Sequence, residues 1–120
     1  MTKTTKMKTT ILHNPRCSKS RETLQLLEEN GEEIQIVKYL EDTPTHEELE
    51  NILKLLKIKP IELVRTKEAI WKENYKDKEL SDKEIIEAML KNPRLMERPI
   101  VIKNNKAAIG RPPQQVLDIL

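Results

Sequence analysis

The sequence predicts an α/β fold with a mixed four-stranded sheet and a helical insertion between the second and third strands. Three observations carry this. The chain opens with a short β-prone run, a helical stretch and a second alternating run. Its middle holds two helix-start signatures, each followed by apolar residues at helical spacing. Its last third returns to β-branched residues on either side of an Asn-Asn pair, the pattern of a hairpin. The order is βαβ, helices, then ββα.

Each element has a local reason. Thr9 to Leu12 is the first strand, broken by His13-Asn14-Pro15, because proline removes a ladder donor and Asn-Pro favours a turn. Thr23 to Asn30 reads as helix, with Leu24 and Leu27 on one face and Gly31 as its stop. Ile34 to Leu40 alternates and reads as the second strand, so the helix can be the crossover of a parallel pair. Thr45 with Glu48 forms a capping-box pattern ahead of Leu49, Ile52, Leu53 and Leu56. Pro60 opens a shorter segment through Ile61 to Arg65. Ser81 with Glu84 opens a further helix striped by Ile85, Ile86, Met89 and Leu90, which Asn92-Pro93 ends. Pro99 to Ile102 and Ala107 to Ile109 are the hairpin strands around Asn104-Asn105. Pro112-Pro113 starts a last helix with Val116, Leu117 and Leu120 on one face.

Composition bounds the rest. A chain of 120 residues is ordinary for one domain, here residues 1–120. At 37% hydrophobic and 35% charged residues it holds one small core under a charged surface, and with no Phe that core is Leu and Ile. A formal charge of +2, from 22 basic and 20 acidic residues, argues against general nucleic-acid binding. Met1 to Lys8 is Lys/Thr-rich with no apolar stretch, so it does not read as a secretory signal. No apolar run approaches the roughly 20 residues of a membrane span. One cysteine excludes an internal disulfide. These features describe a soluble cytoplasmic protein whose thiol meets a reducing environment and glutathione-type partners.

That cysteine, Cys17, falls in the loop after the first strand, just ahead of the first helix. Helix N-termini present unpaired N–H groups and about half a positive charge, which stabilise a thiolate and attract anions. A thiol so placed can drop from about 8.5 to roughly 7.5 or below. Arg16 and Arg21 add charge nearby, and Ser18 and Ser20 offer hydroxyls that could donate to the sulfur. Cys17-Ser18-Lys19-Ser20 is a C-x-x-S pattern. With serine in place of a second cysteine, any mixed disulfide must be resolved by an external thiol such as glutathione. A free cysteine is also a common inert core residue. A phosphatase-type loop would want arginine at position 23, where Thr23 stands, and one cysteine with two distant histidines gives no metal-ligand spacing.

Arg65, Arg98 and Arg111 each sit at an element boundary. Arginine binds oxyanions bidentately, yet by position alone the reading as a solvated surface charge wins for each. His13, four residues before Cys17, either tunes the thiol or bonds backbone at the strand end. His46, at a helix start, reads as structural. Trp71 and Tyr75 read as cover for the core edge or the insert.

Taken together, these segments resemble the glutaredoxin-coupled arsenate reductase family (ArsC-like proteins). The matching stretches are His13-Asn14-Pro15-Arg16-Cys17-Ser18-Lys19-Ser20-Arg21, Glu97-Arg98-Pro99-Ile100-Val101 and Gly110-Arg111-Pro112-Pro113 through Leu120. Tyr39-Leu40-Glu41 and Leu63-Val64-Arg65 fit in order between them. The resemblance implies a thioredoxin-like fold with a helical insertion. It implies Cys17 as the nucleophile toward arsenate, Arg65, Arg98 and Arg111 as anion-binding arginines, His13 and Ser20 as supports of the thiolate, and Arg98–Pro99 as the cis proline of such folds. Because the last helix ends at Leu120, the match is to the short, housekeeping branch of the family rather than to arsenic-operon members with a longer tail.

The implied chemistry is arsenate reduction with glutathione as co-substrate and glutaredoxin as partner, with no bound metal or organic cofactor, no nucleic acid and no membrane. Two other readings belong to the same resemblance. One is a thiol oxidoreductase acting on glutathionylated proteins. The other is a non-enzymatic, Spx-like regulator that binds a partner such as RNA polymerase. Those regulators often carry a C-x-x-C switch, which Ser20 removes here.

Overall fold

The computed structural model describes residues 8–120, so all of the Met1 to Lys8 reading except Lys8 lies outside the described residues. Contacts divide the chain into two compact units. One comprises the residues up to Lys38 together with Arg98–Leu120, and the other is Tyr39–Glu97.

The first unit is the sheet unit. Strand β1 (Thr9–Leu12) is followed by helix α1 (Ser18–Glu29) and strand β2 (Ile34–Val37). β1 and β2 pair in parallel, Thr9 opposite Ile34, so α1 is the expected crossover. Strands β3 (Ile100–Lys103) and β4 (Lys106–Ile109) form the hairpin. Asn104 and Asn105 turn it in the left-handed region, at φ 48° and 60°, where asparagine is tolerated better than most residues. β3 runs antiparallel to β1, giving the order β2-β1-β3-β4 and the mixed sheet the sequence predicts. Ile11, Val101 and Ala108 lie in register across three strands. Leu27 of α1 and Val116 close on them to form the core, with Leu24 and Ile119 packed alongside.

Three sequence expectations shift here. α1 begins five residues earlier than Thr23, at Ser18, so the thiol loop runs directly into the helix. β2 ends at Val37, and Tyr39-Leu40 is a turn. The last segment, Pro113–Ile119, is a 3₁₀ helix rather than an α-helix. At three residues per turn, Val116 and Ile119 share a face, and Leu117 and Leu120 are exposed instead of joining Val116.

The second unit is helical. α2 (His46–Leu56) and α5 (Asp82–Lys91) each start with a complete capping box, Thr45 with Glu48 and Ser81 with Glu84. Leu49, Ile52 and Leu53 are buried on α2, and Ile85, Ile86 and Met89 on α5, while Leu90 is half-buried. α3 (Pro60–Leu63) opens on its proline. α4 (Ala69–Asn74), not anticipated as a helix, buries Trp71, which stacks on Tyr75 with ring centres 5.4 Å apart. Val64 and Met96 make a single antiparallel bridge. His46 pairs with Glu50 and Glu87, a structural role as read from its position. Among the described residues no helix is long and apolar enough to cross a membrane.

Candidate active site

Cys17 is the N-cap of α1. Its backbone is extended (φ −95°, ψ 124°), its N–H donates to the Asn14 carbonyl, and its own carbonyl accepts the first helical bond from Arg21. The residue is buried, at 9% exposure, so the sulfur sits at a protected helix entrance. Burial alone pushes the thiol up. The N–H of Ser20, the Arg98 guanidinium, the N–H of Lys19 and the Arg111 guanidinium outweigh it, and the thiol lies below its ordinary value. The helix start therefore acts as expected. The cations that matter are Arg98 and Arg111, not Arg16 and Arg21. Arg21 turns its guanidinium to the Pro15 carbonyl at 2.9 Å, shaping the loop instead.

His13 and Ser20 are buried together behind the loop. His13 Nδ1 lies 2.6 Å from Ser20 Oγ, which also accepts from the Asn14 N–H at 3.0 Å. The Ser20 hydroxyl is thus committed to His13 and Asn14, and it is the serine's backbone N–H that favours the thiolate. His13 is held below its usual value by burial, then by Lys38 and Arg21, so it sits neutral against Ser20. Its backbone N–H donates to the Val37 carbonyl at 2.8 Å, which is the backbone role open to it at the strand end, while its ring contacts Ser20.

Arg111 reaches the thiol from 94 residues away in sequence. Its Nη2 is 3.5 Å from Cys17 Sγ, and its Nε donates to the Arg98 carbonyl at 2.7 Å. Arg98 is half-buried in the same unit. Each of these arginines precedes a cis proline, Pro99 as expected and Pro112 in addition. The structure thus brings Cys17, Arg98, Arg111, His13 and Ser20 together in the sheet unit. Arg65 belongs to the helical unit, where it pairs with Glu68 at 3.7 Å and Glu97 at 3.9 Å and donates to the Arg94 carbonyl.

Two residues beside the site carry no sequence signal of chemistry. Thr23 is fully buried, with its hydroxyl bonded to the Lys19 carbonyl at 2.8 Å. Gly110 directly precedes Arg111 and packs against Thr23. It is one of two glycines in the chain.

A thiolate beside fixed guanidinium groups can attack the central atom of an oxyanion that those groups hold. Known proteins of similar sequence and structure include ones named for arsenate reduction. Residues 12–119 match the model of the ArsC family. The chain is 55% identical over 112 residues to the uncharacterized protein YfgD of Escherichia coli (strain K12), covering 92% of this chain and 94% of that one. It is 46% identical to an arsenate reductase of Haemophilus influenzae, covering 95% of this chain and all of the other. The arsenate reductase structure from Vibrio cholerae superposes with a TM-score of 0.92 at 48% identity, covering 97% of this chain and all of that one. The fold is thioredoxin-like with a helical insertion. The chain belongs to the ArsC family of arsenate-reductase-like proteins.

Proposed function

We propose that this protein reduces arsenate to arsenite through Cys17, with glutathione and glutaredoxin supplying the electrons in the cytoplasm. The observation that carries the reading is Arg111, hung on the Arg98 carbonyl with a guanidinium nitrogen 3.5 Å from the Cys17 sulfur. Arsenate is an oxyanion, and a thiolate approaches it only where cations offset the charge of both. Arg98 and Arg111 offset it, and the family resemblance alone supports Arg65 as a third cation. The arsenate reductase of Haemophilus influenzae, nearly half identical in sequence, supports the substrate class.

The thiolate forms an S–As(V) bond, and one arsenate oxygen leaves as water after protonation. Glutathione thiol adds to the arsenic with loss of a second water. Glutaredoxin thiolate then attacks the glutathione sulfur. The S–As electron pair passes to arsenic, leaving As(III) on Cys17 and a glutathione–glutaredoxin disulfide. Water releases arsenite and restores the thiol. Two thiols lose two electrons and arsenic gains two. Ser20 in place of a resolving cysteine fits this dependence on outside thiols.

The test is arsenate reduction coupled to glutathione and glutaredoxin, run on wild type and Cys17→Ser. Wild type turns over, and Cys17→Ser falls to background. Retained activity in Cys17→Ser overturns the mechanism. A wild-type preference for a glutathionylated peptide over arsenate overturns the substrate.

A further inference from the structure

We propose that Gly110 is a positioning residue: its missing side chain lets the end of β4 close on Thr23 and Pro99, and this contact sets Arg111 on the Cys17 sulfur. The proposal rests on reading Cys17 and Arg111 as the working pair. A Cβ built on Gly110 would lie 2.5 Å from Thr23 Oγ1, 2.9 Å from Pro99 Cγ and 3.1 Å from Thr23 Cγ2. Ordinary contacts between carbon atoms begin near about 3.5 Å. Gly110 lies outside the left-handed region, so the requirement is for space and not for conformation.

The atoms in the way cannot yield cheaply. Thr23 is fully buried and its hydroxyl is bonded to Lys19. Pro99 is a rigid ring, buried, and its carbonyl accepts the Gly110 N–H at 2.9 Å. Three site-bearing segments meet at this point. Thr23 sits on α1, about one turn beyond Ser20 and nearly two beyond Cys17. Pro99 follows Arg98. Gly110 precedes Arg111, whose Nε is tied to Arg98 and whose Nη2 reaches the sulfur. A methyl group at 110 would push the β4 end from α1 and carry the guanidinium off the thiol.

The readout is the rate of Cys17 alkylation by iodoacetamide across pH, which gives the thiol's apparent pKa and involves no arsenate. Gly110→Ala is expected to fold, raise that pKa and slow alkylation at neutral pH on the order of tenfold, the influence of one displaced cation. Gly110→Ala/Thr23→Ala, which removes both Thr23 atoms in the clash, is expected to recover most of the loss. A purely structural role would lower the melting temperature without moving the thiol pKa. A folded Gly110→Ala with an unshifted pKa overturns the proposal. If Gly110→Ala does not fold, Thr23→Ala alone, which opens the same contact, must raise the pKa, and an unshifted value there overturns it. A shifted thiol in a protein inert toward arsenate would sink the proposed substrate while leaving this contact standing.

Discussion

In Tyr39–Glu97 every buried side chain is apolar or aromatic, whereas among the described residues the unit that holds Cys17 buries four polar ones, Thr9, His13, Ser20 and Thr23. Three of those four stand around the start of α1. Each has a partner: His13 with Ser20, Ser20 with the Asn14 N–H, Thr23 with the Lys19 carbonyl. Buried polar groups cost stability unless bonded, so a cluster of bonded ones marks a place built for orientation. The helical unit is built for stability, with capped, striped helices and regular packing. The sheet unit spends part of its core on holding a thiol and two arginines in register.

The largest effect that sharpens this contrast is on stability in the helical unit. Leu49 is fully buried on α2. Leu49→Ala is expected to cost about 2–5 kcal/mol, measured by chemical denaturation, while the iodoacetamide rate of the surviving folded protein stays within twofold of wild type. A large drop in thiol reactivity at unchanged stability would break the division of labour. The next effect runs the other way. Arg111→Ala removes an exposed side chain, so the denaturation midpoint is expected to hold. Arsenate reduction is expected to fall on the order of 100-fold or more, the usual loss when a fixed charge-stabilising group is deleted. The apparent thiol pKa rises in the same variant, because Arg111 is one of the groups holding it down.

A smaller effect tests the helix starts. Thr45 and Ser81 each accept from the N–H three residues on, and Glu48 and Glu84 return the bond. Thr45→Ala and Ser81→Ala are each expected to cost about 1 kcal/mol with no change in thiol reactivity. Loss of reactivity from either cap would tie the helical unit to the thiol more closely than its composition implies.

The same contrast decides what can be read from sequence. Capping boxes and apolar stripes are local, so α2 and α5 are legible within a residue or two, and the Asn104-Asn105 hairpin likewise. α1 is harder, because Cys17-Ser18-Lys19-Ser20 has no apolar periodicity and its start is set by the loop that Arg21 and Asn14 hold. The last segment misleads for a related reason. Two prolines suit any helix start, and the tighter 3₁₀ turn follows from packing Val116 and Ile119 together on Ile11 and Val101. At the site, residue types are legible but partnerships are not. Nothing local in Arg111 distinguishes it from Arg16, and only the β1-β3-β4 register carries it back to residue 17. Gly110 is legible only as a scarce residue, since the atoms it makes room for lie 87 and 11 positions away.

His13 gives the smallest effect and the finest test of the polar cluster. Burial, Lys38 and Arg21 hold its pKa below the ordinary value, so the folded protein favours neutral imidazole. Above about pH 6.5 both folded and unfolded chains carry it neutral and the full stabilisation is present. As pH falls below that, the unfolded chain takes up a proton that the folded one resists. Stability therefore declines from about pH 6.5 down through the folded-state pKa. Melting temperatures between pH 8 and 5 are expected to show this decline in wild type and a flatter course in His13→Gln. Protonation also forces Nδ1 to donate, which fixes the direction of the 2.6 Å contact to Ser20 Oγ while Asn14 already donates to that oxygen. The serine can then no longer donate to His13, so its own proton must turn elsewhere in a buried site. If His13→Gln melts with the same pH slope as wild type, the histidine is ionised or solvated in the folded state. The cluster then holds the loop by shape alone, without the charge balance that distinguishes it from the helical unit.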